Sequence, residues 1–406
     1  MKDPFKGVEN SKTAPGERAI SLELEMAVRK LLPYGVKDYY PKEVKLLSRI
    51  LRETERELTL WGYEEIKLPT LEYKELFETA LGKKLTDGFL LKDCEGGDVL
   101  ALRYDFTPQI LRFVLHRKER SYPLRVFYKG ETFKGNRELW EELHVGFELV
   151  GAPEVEADAE VMAVIENILS ALGIKDYLLV VGHREAYRWA VQKWGIHAVE
   201  KKTYSPQREP YLKNYPLLGN GWENLELPPK VKGDLSTLRR LFTAYGIGSK
   251  AVFNPSLEPE RDYYSGLFFK VVSKRGVLAR GGRYDRLFER FGERIPATGG
   301  GLKINLLLEE EVSLSGETPK RVYVIDKTPD KVVGWKIAKY LRQRGIIAER
   351  DIVKREPSLS VSHAVEKGFD TVLVVEDDSI KLLKGNEKFE LPLNGWEEEL
   401  IDLIEG

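Results

Sequence analysis

The run ELHVGFELVG at 142–151 constrains this chain more than any other segment, because apolar Leu143, Val145, Phe147 and Leu149 alternate with His144, Gly146 and Glu148. Successive side chains of a strand point to opposite faces, so residues two apart share one. The apolar face packs against helices, and the other face is left free to line a cavity. A histidine and a glutamate on either side of a glycine then point into one space. Taken alone, Glu148 reads more often as a solvated surface carboxylate. LRVFYKGETF (124–133) reads as a further strand.

The flanking pattern is helical. After Tyr40-Pro41, Val44, Leu47, Leu51, Leu58 and Trp61 fall near helical spacing, with Gly62 placed to end the helix. YEEIKLPTLEY (63–73) reads as extended and broken by Pro69. A second helix start is marked at Thr107-Pro108, with Thr107 as N-cap and Ile110, Leu111, Val114 and Leu115 on one face. A helix is expected around 157–172, and the less regular stretch 173–250 reads as an insertion. Strand signals resume at 262–272 and around 276–288, and a hydrophobic helix follows in GLKINLLLEEE. EVSLSGETP (311–319) reads as a linker. From Lys320 the chain alternates strand-like and helical units (RVYVID, KVVGWKIAKYLRQRG, IAERDI, SLSVSHAVEKGF, DTVLVVED), closing on the helix GWEEELIDLIE, which predicts a small α/β domain. The expected organisation is a loose N-terminus at 1–18, a main domain at 19–312 and an α/β domain at 320–406.

Charge and cysteine content exclude several classes. With 64 basic against 65 acidic residues, the 406-residue chain is not one that coats nucleic acid or anionic lipid as its main task. The last 87 residues carry 15 basic and 17 acidic side chains, so the terminal domain is not a basic module either. No run approaches the roughly 18 apolar residues a membrane span needs, and the first 20 residues hold no signal-like apolar stretch. Cys94, the only cysteine, forbids an internal disulfide and fits a reducing, cytoplasmic setting; it reads as an inert thiol. The scarcity of Cys and Met beside abundant Glu, Lys and Arg weakly suggests a thermophile. His116, His144, His183, His197 and His363 show no metal-ligand spacing, and no G-x-S-x-G, Walker A or dinucleotide fingerprint is present. The glycine clusters GGRYDRLF (281–288) and ATGGGLKI (297–304) read equally as close backbone approach to a ligand or as tight turns. The pair Tyr263-Tyr264 reads first as strand packing. These residues support a mixed α/β protein with a polar pocket, and they do not name a reaction.

Several segments, in order, resemble the histidyl-tRNA synthetase family, which includes a non-catalytic paralogue that regulates ATP phosphoribosyltransferase. LPYGVKDYYPKE is similar to the family's N-terminal signature, and WGYEEIKLPTLE to class II motif 1. LRYDFTPQILR and the stretch from YKGETFKG to FELVG resemble the motif 2 region. RDYYSGLFF and LARGGRYDRLFERFG are similar to the two histidine-specific peptides. The resemblance covers roughly residues 32–310 and implies an α+β fold, an antiparallel sheet with flanking helices, while the terminal domain resembles an anticodon-binding module.

The resemblance implies histidine contacts at Asp105, Thr107, His144, Glu148, Tyr263, Tyr264 and Tyr284. Asp105 and Thr107 match positions that hold the α-amino group; Glu148, Tyr264 and Tyr284 match positions that hold the imidazole. His144 stands where the synthetase has a glutamine. Three synthetase arginine positions depart from the pattern: Lys134 in motif 2, Pro259 in the first histidine-specific peptide, where Arg261 lies at another register, and Leu306 in motif 3. Guanidinium groups suit a nucleotide because they give paired hydrogen bonds and a stacking face. Their loss points to the non-catalytic paralogue, with no catalytic residue, cofactor or metal. The resemblance then implies a homodimer core, a short-form catalytic subunit as partner in a hetero-octamer, and L-histidine as effector. A membrane is not expected, and tRNA is unlikely as a partner. The alternative is a divergent histidyl-tRNA synthetase that retains activation.

Overall fold

A computed structural model describes residues 32–92, 96–117, 122–135, 138–195, 222–312, 320–329, 332–351 and 356–405, which fall into two compact units dividing between residues 314 and 315. The expected loose N-terminus, Cys94 and residues 196–221 of the expected insertion lie outside the described residues.

In the first unit, α1 (Pro41–Leu60) starts at Pro41, with the Glu43 carboxylate accepting from the Tyr40 amide at 2.9 Å. It buries Ile50, Thr54 and Leu58, while Val44, expected on its apolar stripe, is exposed. β1 (Glu64–Glu65), β2 (Leu71–Tyr73), α2 (Lys74–Leu81), β3 (Leu90–Lys92) and β4 (Val99–Leu102) follow. α3 (Phe106–His116) is capped by Asp105, whose side chain accepts from the Thr107 amide at 3.1 Å. The helix therefore begins one position before Thr107, and the expected threonine cap is an aspartate cap. Asp accepts better than Thr in that geometry because its oxygen is charged.

Next come β5 (Leu124–Phe133), β6 (Glu141–Val150), α4 (Val155–Ala171), β7 (Leu178–His183), α5 (Arg184–Trp194), α6 (Pro229–Tyr245) and β8 (Ala251–Phe253). The unit ends with β9 (Leu267–Ser273), β10 (Gly276–Arg283), α7 (Asp285–Glu289), β11 (Ala297–Lys303) and α8 (Ile304–Leu307). Eight strands form one sheet in the order β1-β5-β6-β11-β10-β9-β7-β8, antiparallel except where β1 meets β5 and β7 meets β8. Because β7 pairs with β9 inside this sheet, the stretch expected as an insertion at 173–250 supplies a strand, and two helices, to the main body. The strand expected at 262–272 begins only at Leu267, and the hydrophobic helix expected after the glycines is four residues long.

The two faces of the sheet are filled differently. Val145, Phe147 and Leu149 of β6 pack with Val161, Ile165, Ile168 and Leu169 of α4 and with Leu235 and Leu238 of α6. The opposite face meets Ile110, Leu111 and Val114 of α3 and a cluster of tyrosines. Between them Asp158 of α4 accepts from Arg283 at 2.8 and 3.0 Å, and both are buried. Breaking such a pair from one side strands a buried charge, so it fixes the helix on the sheet more than it adds net stability. A separate three-stranded sheet, β2-β4-β3, turns Glu72 and Ala101 inward. Its other face aligns Leu71 with Leu102 and Tyr73 with Leu100 and Leu91. Tyr73 is 54% exposed, Leu71 45% and Leu91 43%.

The second unit is built as β12 (Arg321–Asp326), α9 (Val332–Gln343), β13 (Ile347–Arg350), α10 (Pro357–Glu366), β14 (Thr371–Val375), β15 (Ser379–Lys384), β16 (Glu387–Pro392) and α11 (Glu397–Glu405). Its sheet order, β13-β12-β14-β15-β16, is parallel across β13, β12 and β14, as the alternating units predict. The antiparallel hairpin β15–β16 is an addition to the sequence reading. Its turn at Gly385-Asn386, with Gly385 at φ 58°, carries the signal in the sequence.

Candidate functional site

The polar side of β6 opens into a cavity of about 110 Å³, lined by Glu142, His144, Gly146 and Glu148 from that strand. A water needs about 10–15 Å³ on this scale, so the space suits a small polar molecule. Around it stand Asp105, Thr107, Tyr128, Lys134, Arg261, Tyr263, Tyr264, Arg280 and Tyr284, with glycines of β10 and β11 as one wall. The seven residues expected to contact a ligand thus line one cavity, and so does Lys134. Leu306 instead packs on the apolar core, and Pro259 is not among the lining residues.

Glu148 sits at the inner end. Its carboxyl accepts from the Tyr128 hydroxyl at 2.9 Å and the Tyr284 hydroxyl at 2.6 Å. Burial pushes Glu148 up to about 8, even though both tyrosine hydroxyls pull the other way. The same burial, with Glu148 nearby, holds Tyr128 and Tyr284 well above the usual tyrosine range, so they remain donors. Glycine makes this possible: an added Cβ at Gly299 would lie 1.6 Å from Glu148 Oε2, and one at Gly146 would lie 2.4 Å from the Tyr128 hydroxyl. The glycine clusters are therefore mid-strand shelves, with Gly282 opposite Gly299 and Gly281 opposite Gly300, and not turns.

Asp105 faces the cavity from the start of α3. One oxygen caps the helix and the other lies 2.5 Å from Arg261 Nη2. Burial alone would raise Asp105, but Arg261, Lys134 and the Thr107 amide outweigh it and keep the carboxyl below its ordinary value. In return the Asp105 charge holds the Arg261 guanidinium above its usual range. Tyr263 and Tyr264 meet edge to face at 5.6 Å, and Tyr264 stacks on Phe268. At the outer end Glu142 meets Lys303 at 3.0 Å and His144 at 3.7 Å. Burial, with Lys134 and Lys303 adding to it, lowers His144 despite Glu142 beside it, so its imidazole stays neutral near pH 7. Lys134 lies over the Tyr104 ring at 4.4 Å.

Sequence reasoning missed Tyr128, Glu142, Arg280 and Lys303 as lining residues, and read Arg261 only as lying at another register from the family arginine. Tyr128 was within reach, because the period of two that orients β6 also turns Tyr128 and Thr132 to one face of β5. No local pattern brings Arg261 to Asp105; the loop 254–266 does that.

This mostly antiparallel sheet backed by helices, with a polar cavity on its open face, defines a class II aminoacyl-tRNA synthetase-type core. The structure resembles that of an ATP phosphoribosyltransferase regulatory subunit/histidyl-tRNA synthetase from Bacillus halodurans, with TM-score 0.70 and 23% identity over 86% of this chain and 98% of the other. The family model for histidyl-tRNA synthetase matches residues 35–208 and 218–307. An ATP phosphoribosyltransferase regulatory subunit of Aquifex aeolicus is 30% identical over 364 residues, 86% of this chain and 93% of the relative. A histidine–tRNA ligase of Methanocaldococcus jannaschii is 28% identical over 388 residues, 86% of this chain and 92% of the relative. The chain belongs to the histidyl-tRNA synthetase family, in its branch of ATP phosphoribosyltransferase regulatory subunits. Among the described residues no helix is long and apolar enough to cross a membrane.

Proposed function

We propose that this chain is a non-catalytic subunit that activates a short-form ATP phosphoribosyltransferase in the first step of histidine biosynthesis and conveys feedback inhibition by L-histidine. The observation that carries the effector is the cavity itself. Asp105 offers a carboxylate to an α-ammonium group, and Glu148, between Tyr128 and Tyr284, offers a polar end for an imidazole. Thr107, His144, Tyr263 and Tyr264 complete the enclosure. Against activation of histidine with ATP stand Lys134 over an aromatic ring, Leu306 in the apolar core, and Pro259 outside the lining. Each lost preorganised charge contact costs about 10²–10³ in rate.

Feedback requires that histidine bind two states of the assembly unequally, and the coupling runs both ways. Mixing the chain with a short catalytic subunit from the same source should give activity that neither shows alone, reduced by histidine. A strong histidine-dependent ATP–pyrophosphate exchange by this chain alone would select the ligase reading instead.

The homodimer core of the proposed hetero-octamer is supported by the exposed apolar face of the small sheet, where Leu71, Tyr73 and Leu91 line up beside Leu100 and Leu102. An uncovered face of that kind marks an interface. Tyr73→Glu should convert the dimer to monomers in sedimentation while leaving the fold intact by circular dichroism, because the side chain is exposed on the single chain. An unchanged mass would move the interface elsewhere.

A further inference from the structure

Inside the cavity an acid and a base of this chain hold each other. Arg261 Nη2 lies 2.5 Å from Asp105 Oδ2, yet that buried oxygen takes no hydrogen bond of acceptable angle. The contact is one of charge with poor direction, so a better-aligned N–H donor gains a hydrogen bond that Arg261 leaves unmade. The cavity's other cations are placed differently. Lys303 is held by Glu142, and Arg280 by Glu260 outside the lining. Lys134 lies over the Tyr104 ring. Arg261 is the one among these paired with Asp105, the carboxylate that the proposed reading of the cavity assigns to the ligand's ammonium group.

We infer that Arg261 is a built-in stand-in for the ligand's ammonium group, holding Asp105 until that ammonium displaces it and then passing to the ligand's carboxylate. A zwitterion satisfies both halves of the exchange, because it replaces one ion pair by two. An amine without a carboxylate would take Asp105 and leave a largely buried guanidinium without the carboxylate that pairs with it, which is costly. The site therefore selects for an α-carboxylate through a residue that itself covers the amino position. This inference rests on the reading of the cavity as an amino-acid site.

Calorimetric titration of the full chain with L-histidine and with histamine, the same imidazole amine lacking the carboxylate, reads both halves. Wild type should favour L-histidine by about tenfold or more. In Arg261→Met the histidine affinity should fall while that of histamine holds or rises, so that discrimination shrinks to within about threefold. Arg261→Lys keeps a charge without paired donors and should fall between; it also guards against a methionine variant that fails to fold, which a melting curve detects. Unchanged discrimination in a folded variant overturns the inference. If wild type binds neither compound, other L-amino acids are titrated, each beside its decarboxylated amine. Binding of another pair overturns histidine as the ligand while still testing Arg261, and no binding by any pair overturns both.

Discussion

Gly299→Ala should cost the protein its ligand site, whereas Gly301→Ala, two residues further along the same strand, should leave it folded. A methyl group at Gly299 would meet Glu148 Oε2 at 1.6 Å and the Phe147 carbonyl oxygen at 2.6 Å. The carboxyl can swing away only by leaving Tyr128 and Tyr284, and the carbonyl belongs to a paired strand and cannot move. Overpacking of this kind costs about 1–3 kcal/mol. Loss of the carboxyl from its two donors should weaken histidine binding by about two orders of magnitude. At Gly301 the nearest atom to a new Cβ is a carbonyl oxygen at 3.9 Å, an ordinary contact. Thermal melts and titrations of the two variants side by side check the contrast, and equal behaviour would mean that the shelf is not what seats Glu148.

Glu148→Gln should make the protein more stable than wild type at pH 9 and close to neutral in effect at pH 5. The carboxyl's ordinary value is 4.5 and burial pushes it to about 8. Between those values the folded chain holds a proton that the unfolded chain has released. Wild-type stability from this group is therefore fully present below 4.5 and is lost as pH rises through about 8, at about 1.4 kcal/mol per pH unit. Glutamine keeps an acceptor for a tyrosine hydroxyl and never ionises, so its advantage should grow with pH. Urea unfolding of both proteins from pH 5 to 9 gives the difference directly, and a difference independent of pH would show that Glu148 ionises freely. Ligand binding follows the same chemistry. An imidazole N–H favours the ionised carboxyl, so binding near pH 7 should release a proton, measurable by calorimetry in buffers of different ionisation enthalpy.

The parts of this architecture that repeat with a fixed period are readable from the chain. The alternation 143–149 sorts β6 into core and cavity faces, and the change of pattern at Lys320 announces the α/β unit. The parts that depend on tertiary pairing are not. Leu178–His183 falls in the stretch read as irregular, yet it is a strand whose pairing partner β9 lies more than 80 residues away. Likewise Gly281 and Gly299 carry no local sign that each lies in the middle of a strand; only the pairing of β10 with β11 settles it. Arg261 is the sharpest case. Counted along the peptide it sits two positions from where a family arginine is expected, but a side chain that long reaches the cavity from a neighbouring register, and distance in space decides its role.

Asp105 also belongs to two structures at once. One of its oxygens ends helix α3, and Arg112, two turns along that helix, grips Glu72 of β2 at 2.7 Å. β2 is the strand that carries Leu71 and Tyr73. A single rod thus joins the cavity wall to the patch where a second polypeptide would sit. Amide exchange at 71–73 and 99–102 should accordingly slow when a ligand fills the cavity, and unchanged exchange would show the two ends to be uncoupled.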